Sequence, residues 1–360
     1  MRTIFPFSIR DLEELNGSID ETLSAEERDL SNYKIAYLPG AYSLGIGLTS
    51  RCNLNCPFCY YRERGHNTVS MLPIARLRDI LTGLGQLRLI SFSLEGEALL
   101  YPGLKDALDL ASEHAEILQI TTNGQLLDDG MADLLCGTPK LRSLILSIDS
   151  ADPGAYAAMR RGGKLSTLER NIRNFQKRNT HIFTELYAIV TDRNIDTLHT
   201  LPEFAASLGI KLISFGKLRE HGWSREHQIH GVTDRQMTDE MLRVIAEAQK
   251  EKEQVQVKLA PYFADRTVVE ELREKTDPSY GLFIPPDRNF CDMPWSFTAI
   301  LSDGRLFPCC GDFSPAEIEE CSFDGIFNHK YLLLLRKLIK HRAVPEGCLE
   351  CRNCRVSRSS

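Results

Sequence analysis

Cys52-Asn53-Leu54-Asn55-Cys56-Pro57-Phe58-Cys59-Tyr60 sets three cysteines at C-x3-C-x2-C spacing, directly after the apolar run 42–48. Three thiolates this close together can each hold one iron of a [4Fe–4S] cube, which leaves the fourth iron without a protein ligand. An open iron can bind a cofactor or substrate directly, and a fully ligated electron-transfer cluster cannot. The same residues could serve a zinc knuckle, but zinc usually takes four ligands in paired C-x2-C units.

The chain around this loop alternates strand-like and helix-like patterns. Apolar runs fall at 42–48, 89–94, 117–121, 144–148, 183–190 and 212–215, and amphipathic stretches at 74–84, 104–114, 168–176 and 200–208. Strands separated by helices predict parallel βα units joined by right-handed crossovers. Six units are too few to close an eightfold barrel, so the expectation is an α/β partial (βα)6 barrel, TIM-like, with a small C-terminal Cys-rich α+β domain. Chemistry in parallel α/β folds sits at the carboxyl ends of the strands. The cysteine loop follows the first strand, which puts it on that edge. The expected division is an N-terminal extension at 1–41, the barrel at 42–230, a helical and strand linker at 231–290, and the Cys-rich domain at 291–360. The acidic stretch 13–30 reads as one helix packed on the barrel, 233–255 as a charged helix, and Val255, Val257 and Leu259 alternate as a strand.

Composition narrows the class. The 360 residues carry a net charge of −6 and no basic block, which argues against a nucleic-acid partner. The N-terminus lacks a signal-peptide core and no apolar run is long enough to span a membrane, so the expected location is cytoplasmic. Eleven cysteines in a reducing compartment point to metal ligation rather than disulfides.

The loop resembles the cluster-binding loop of the radical S-adenosylmethionine (SAM) enzymes, matching all three cysteines of CxxxCxxC, with Phe58 as the aromatic before the last one. The resemblance implies that Cys52, Cys56 and Cys59 hold a [4Fe–4S] cluster whose open iron chelates SAM. One electron would then cleave SAM to methionine and a 5′-deoxyadenosyl radical, which abstracts a substrate hydrogen atom. Ser93-Leu94-Glu95-Gly96-Glu97-Ala98 looks like the family's GGEP motif; Gly96 and Glu97 match and imply a site for the SAM amino group. Glu95 and Ala98 depart from the motif, and Glu95 adds a carboxylate with no family role. Asn123 lies in a TNG-like element. Ser147 lies in an S-[IL]-D-like element and would meet the SAM carboxylate. Arg161, with Arg160 as the alternative, resembles an RG element that would supply a cation.

Seven more cysteines lie in 291–354. Their arrangement is similar to the SPASM/twitch extension of radical SAM enzymes but lacks its full central pattern, which implies one auxiliary [4Fe–4S] cluster. Its ligands would be Cys291, Cys309 and two of Cys348, Cys351 and Cys354; the competing reading is structural zinc. Cys310, Cys321 and Cys136 are left over, either as small buried residues or as a hydrogen-atom donor to a substrate radical.

The resemblance implies a radical SAM oxidoreductase or epimerase, reduced by a protein such as flavodoxin or ferredoxin. The expected reaction is oxidation, epimerisation or cross-linking of a small, aminoglycoside- or sugar-like molecule. The alternatives are modification of a ribosomally made peptide, and a non-enzymatic iron–sulfur or zinc scaffold.

Overall fold

The computed structural model describes residues 8–63, 69–218, 220–251, 255–259, 266–276, 291–309, 313–343 and 348. All six expected strands form: β1 (Ser43–Ile46), β2 (Leu87–Phe92), β3 (Ala115–Thr122), β4 (Leu141–Ser147), β5 (Phe183–Val190) and β6 (Leu212–Lys217). They lie in sequential order, each parallel to the next. Helices Ile74–Leu84, Leu104–His114, Asp129–Cys136, Leu165–Arg178 and Leu201–Ser207 make the crossovers.

The two faces of the sheet differ in chemistry. Leu118 and Ile120 of β3, Leu144 and Leu146 of β4, Leu186 and Ala188 of β5, and Ile213 and Phe215 of β6 share one core. That core includes Leu77 and Ile80, Leu104 and Leu108, and Leu168, Ile172 and Phe175 from the helices. A strand's side chains alternate, so the residues between these point inward. They are largely polar: Ser91, Gln119, Ser143, Ser147, Glu185, Tyr187 and Ser214. On this inner wall Ser91 donates to Gln119 (3.1 Å), and Gln119 donates to Ser143 (3.0 Å). The expected partial barrel is therefore present, with helices outside and a polar lumen.

Three features depart from the expected outline. The linker contributes β7 (Gln256–Leu259), a further parallel strand beside β6, because Val257 and Leu259 join the outer core. The Cys-rich region is continuous with the barrel: β8 (Phe297–Ile300) pairs parallel to β1, and β9 (Leu306–Phe307) returns antiparallel to β8 through a turn containing Gly304. The N-terminal helix is shorter than expected, Ile9–Asp20. Ser24 caps a second short helix, Ala25–Arg28, and Asp29 caps the turn after it; side chains that satisfy free N–H groups restart the backbone at such points. Among the described residues, no helix is long and apolar enough to cross a membrane.

Arg336, on helix Lys330–Lys340, fastens the N-terminal segment to the C-terminal region. Its fully buried guanidinium donates to the carbonyls of Pro294 (2.8 Å), Tyr33 (3.2 Å) and Phe327 (2.5 Å), and to Asn328 Oδ1 (3.0 Å). Burial pushes its pKa down to about 10, so it stays charged at neutral pH. Arg336→Leu would strand these acceptors in a dry interior. The substitution is expected to cost about 3 kcal/mol or more, measured as a lowered midpoint in urea unfolding.

Candidate active site

A cavity of about 340 Å³ opens at the carboxyl edge of β1–β4. Its lining includes Cys52, Cys56 and Cys59, the 93–98 segment, Thr122 and Asn123, Ser147 and Arg160. Consecutive strand ends thus deliver their motifs to one place, as the order of the motifs implied.

The cysteine loop is almost devoid of secondary structure, so its backbone polar groups need partners from elsewhere. Four segments supply them. The Arg161 carbonyl accepts from Asn55 N (2.8 Å), and Arg62 donates to the Leu54 carbonyl (3.1 Å). Trp223 Nε1 donates to the Cys56 carbonyl (3.2 Å), and His221 Nε2 lies 3.1 Å from the Phe58 carbonyl. Glu97 N donates to the Arg51 carbonyl (2.8 Å). His221 also meets Tyr60 edge-on, with ring centroids 5.6 Å apart. His221 and Trp223 were not legible as site residues, since they follow β6, some 160 positions from the loop, and carry no motif.

Each of the three thiols is free. Burial pushes Cys56 up to about 12 and raises Cys52 as well. Iron binding at these sulfurs must therefore release protons. Asn123 Nδ2 donates to Asn53 Oδ1 (2.8 Å) and lies 4.0 Å from Cys52 Sγ.

Gly96 and Glu97 serve the loop as well as the cavity. Gly96 has φ +63°, and a Cβ there would lie 2.1 Å from the Thr49 carbonyl oxygen and 2.6 Å from that of Arg51. The Glu97 carboxylate is fully buried and accepts from Thr122 Oγ1 (2.6 Å), Asn123 N (2.9 Å) and Leu99 N (3.2 Å). Burial raises its pKa, and these bonds oppose the rise. Most of its acceptor capacity is thus used within the protein. Glu95, which had no family role, crosses the seam between barrel and extension. It accepts the backbone N–H of Ser302, in the turn between β8 and β9.

Of the two adjacent arginines, Arg160 lines this cavity, together with Arg51 and Arg62, and Arg161 does not. Arg161 is exposed, and its carbonyl, not its side chain, touches the loop. The Arg160 Nε lies 2.5 Å from Asp149 Oδ2, its guanidinium sits over the Phe58 ring (5.2 Å to the centroid), and Nη1 is 4.0 Å from Cys56 Sγ. Burial alone would weaken its charge, but Asp149 and then Cys56 hold its pKa above the ordinary value. Asp149 is itself fixed by a φ of +70° and by accepting from Ile189 N (2.8 Å). Sequence spacing cannot separate adjacent arginines; the turn at Gly162 points them in different directions.

The spare cysteines separate by edge. Cys136 ends helix Asp129–Cys136 just before β4 begins, and Cys321 packs where helix Ile74–Leu84 ends, before β2. Both lie at the amino edge of the sheet, opposite the cavity, so neither is placed to give a hydrogen atom there. Cys310, Cys351 and Cys354 lie outside the described residues. Cys291 and Cys309 are buried, and Cys309 and Cys348 belong to the same apolar cluster below the β8–β9 hairpin. Among the described residues, no three His, Cys, Asp or Glu side chains converge as a single-ion site requires.

A parallel partial barrel that sends three free thiols to its carboxyl edge, with a cysteine-bearing hairpin sewn to its first strand, is the architecture of an iron–sulfur enzyme. Comparison with known proteins carries this to the family. Residues 46–205 match the radical SAM superfamily, and residues 291–355 match the SPASM family, an iron–sulfur cluster-binding domain. The chain belongs to the radical SAM superfamily and carries a C-terminal SPASM domain. It is 24% identical over 315 residues to the antilisterial bacteriocin subtilosin biosynthesis protein AlbA of Bacillus subtilis (strain 168), covering 84% of this chain and 63% of AlbA. It is 26% identical over 299 residues to the PqqA peptide cyclase of Ruegeria pomeroyi, covering 80% and 71%. Streptococcus suis SuiB bound to precursor peptide SuiA shares the fold, with a TM-score of 0.58, 18% identity, and coverage of 78% and 61%. The chain thus spans under two thirds of the length of AlbA and SuiB. The radical SAM domain implies a [4Fe–4S] cluster and SAM, and the SPASM domain implies auxiliary iron–sulfur ligation. Three free thiols on one cavity wall suit the first, and buried Cys309, in one apolar cluster with Cys348, suits the second.

Replacing Cys52, Cys56 or Cys59 singly with alanine should lower the iron content of the reconstituted protein by about four per chain. Cys136→Ala and Cys321→Ala should leave it unchanged; iron and sulfide assays check both. Gly96→Ala should cost about 1–3 kcal/mol, because φ is positive and the Cβ meets backbone oxygens. It should also weaken cluster retention, read as faster bleaching of visible absorption in chelator.

Proposed function

We propose that this chain modifies a ribosomally made peptide by SAM-dependent hydrogen abstraction. The observation that carries the reading is the breadth of the likeness to AlbA and to the PqqA peptide cyclase, which takes in 84% and 80% of this chain. The expectation of a small sugar-like substrate leaned in part on the compactness of the extension. The hairpin is instead a continuation of the barrel sheet, so its size says nothing about substrate size.

The residues divide the work by position. Cys52, Cys56 and Cys59 would hold the cluster, and Cys291 and Cys309, with two of Cys348, Cys351 and Cys354, an auxiliary one. When bound, the cluster and SAM supply a one-electron cleavage that yields a hydrogen-abstracting radical. Gly96 leaves room for close backbone approach and, with the remaining capacity of Glu97, suits an ammonium. Ser147 and Arg160 face the same space and suit a carboxylate. Asn123 holds Asn53 and so the loop's first turn. Apolar Leu54, Phe92 and Val69 line the cavity and limit its water. A small reducing protein such as flavodoxin or ferredoxin would supply the electron.

Anaerobically reconstituted protein with about eight irons per chain should release 5′-deoxyadenosine from SAM under dithionite, and Cys309→Ala should hold about four. Short peptides encoded beside its gene should change mass in the same reaction, with deuterium from the attacked carbon appearing in 5′-deoxyadenosine. Iron-loaded protein that releases no 5′-deoxyadenosine would leave only the scaffold reading.

A further inference from the structure

One polar row on the barrel's inner wall takes no part in holding the cysteine loop. Strand register aligns Ser147 of β4 with Tyr187 of β5, Tyr187 with Ser214 of β6, and Ser214 with Lys258 of β7. All four point inward, because their neighbours Leu146, Leu186, Ala188, Ile213, Phe215, Val257 and Leu259 join the outer core. Ser147 also lines the cavity, so the row begins at the site and runs along the lumen to the last parallel strand.

The far end of the row is chemically unfinished. Ser214 is 1% exposed, and its hydroxyl has no hydrogen-bond partner. Buried hydroxyls are normally bonded, and an orphaned one in a fixed strand suits a group that arrives from outside. Beside it, the Lys258 ammonium is about a third exposed and lies 3.9 Å from the buried Glu185 carboxylate, too far for a hydrogen bond. Glu185 faces the lumen, since its neighbour Leu186 joins the outer core. It steadies Lys258 without consuming its donors. Gly216 keeps the wall open for Tyr187, since a Cβ there would fall 2.1 Å from the Tyr187 hydroxyl oxygen.

We infer that Ser214 and Lys258 form a subsite for a carboxylate of the peptide substrate, an aspartate or glutamate side chain. The ammonium supplies charge and the hydroxyl supplies a directed donor; a carboxylate can accept both at once. The Lys258 ammonium itself repels a second cation in the same place. The subsite would fix an acidic residue a set distance along the peptide from the carbon facing Ser147. This inference rests on the peptide reading above and deepens it.

The test uses reconstituted full-length protein, SAM, dithionite and an encoded library of short random peptides, with modified members sorted by mass spectrometry. Wild type should enrich Asp or Glu about tenfold at one fixed offset from the modified residue. Lys258→Glu should abolish that enrichment and favour Lys or Arg at the same offset, an exchange that mere loss of structure cannot produce. Should Lys258→Glu fail to fold, Lys258→Met should modify peptides with no acidic preference. Peptides modified by wild type without acidic enrichment would overturn the inference and leave the peptide reading standing. Enrichment that survives in the Lys258 variants would do the same. Release of 5′-deoxyadenosine with no peptide modified at all would remove the peptide reading and this subsite with it.

Discussion

The cysteine loop has to present three sulfurs to one cavity without a helix or strand to hold its backbone. Every other feature of the site follows from that constraint. Carbonyls of a short irregular segment at the edge of a buried sheet must be paired, or the loop would turn them to water and spread its thiols. The pairing comes from Arg62 within the loop's own continuation, from the 160–162 turn after β4, and from His221 and Trp223 after β6. Strand ends far apart in the chain therefore clamp one loop. Their clamping works because sequential parallel strands bring all carboxyl ends to the same edge.

Charge at the site is arranged with equal economy. Arg160 is dry, yet it stays charged because Asp149 is held against it by a backbone bend and by the Ile189 N–H. The same guanidinium rests on Phe58 and approaches Cys56. A buried pair of this kind adds little stability by itself. It fixes orientation, keeping a cation beside Cys56, where it opposes but does not cancel the upward push of burial on that thiol.

The C-terminal region is a wall of the barrel rather than an appendage. Pairing of β8 with β1 makes the sheet continuous, Glu95 takes a backbone N–H from the hairpin turn, and Arg336 binds the N-terminal segment to the helices behind. The hairpin turn is therefore tied directly to the segment that carries Gly96 and Glu97. On the opposite side, β7 extends the wall and contributes Lys258 to the lumen.

Local pattern alone determined the six strands and four of the five crossover helices, missing the short Asp129–Cys136, because alternation and the 3.6-residue period are properties of adjacent residues. It also determined the three-thiol loop, whose spacing is its chemistry, and the order of strand-end motifs around the cavity. Tertiary structure alone decided between Arg160 and Arg161, since a single turn redirects neighbours. It also placed Cys136 and Cys321 at the wrong edge, gave Glu95 its partner in Ser302, and brought His221 and Trp223 to the loop. The partners of Glu95, Cys321, His221 and Trp223 lie more than a hundred residues away in the chain, where no short-range period exists to be read. The inner polar row belongs to the same class: each strand shows only an isolated serine, tyrosine or lysine, and register makes them one surface.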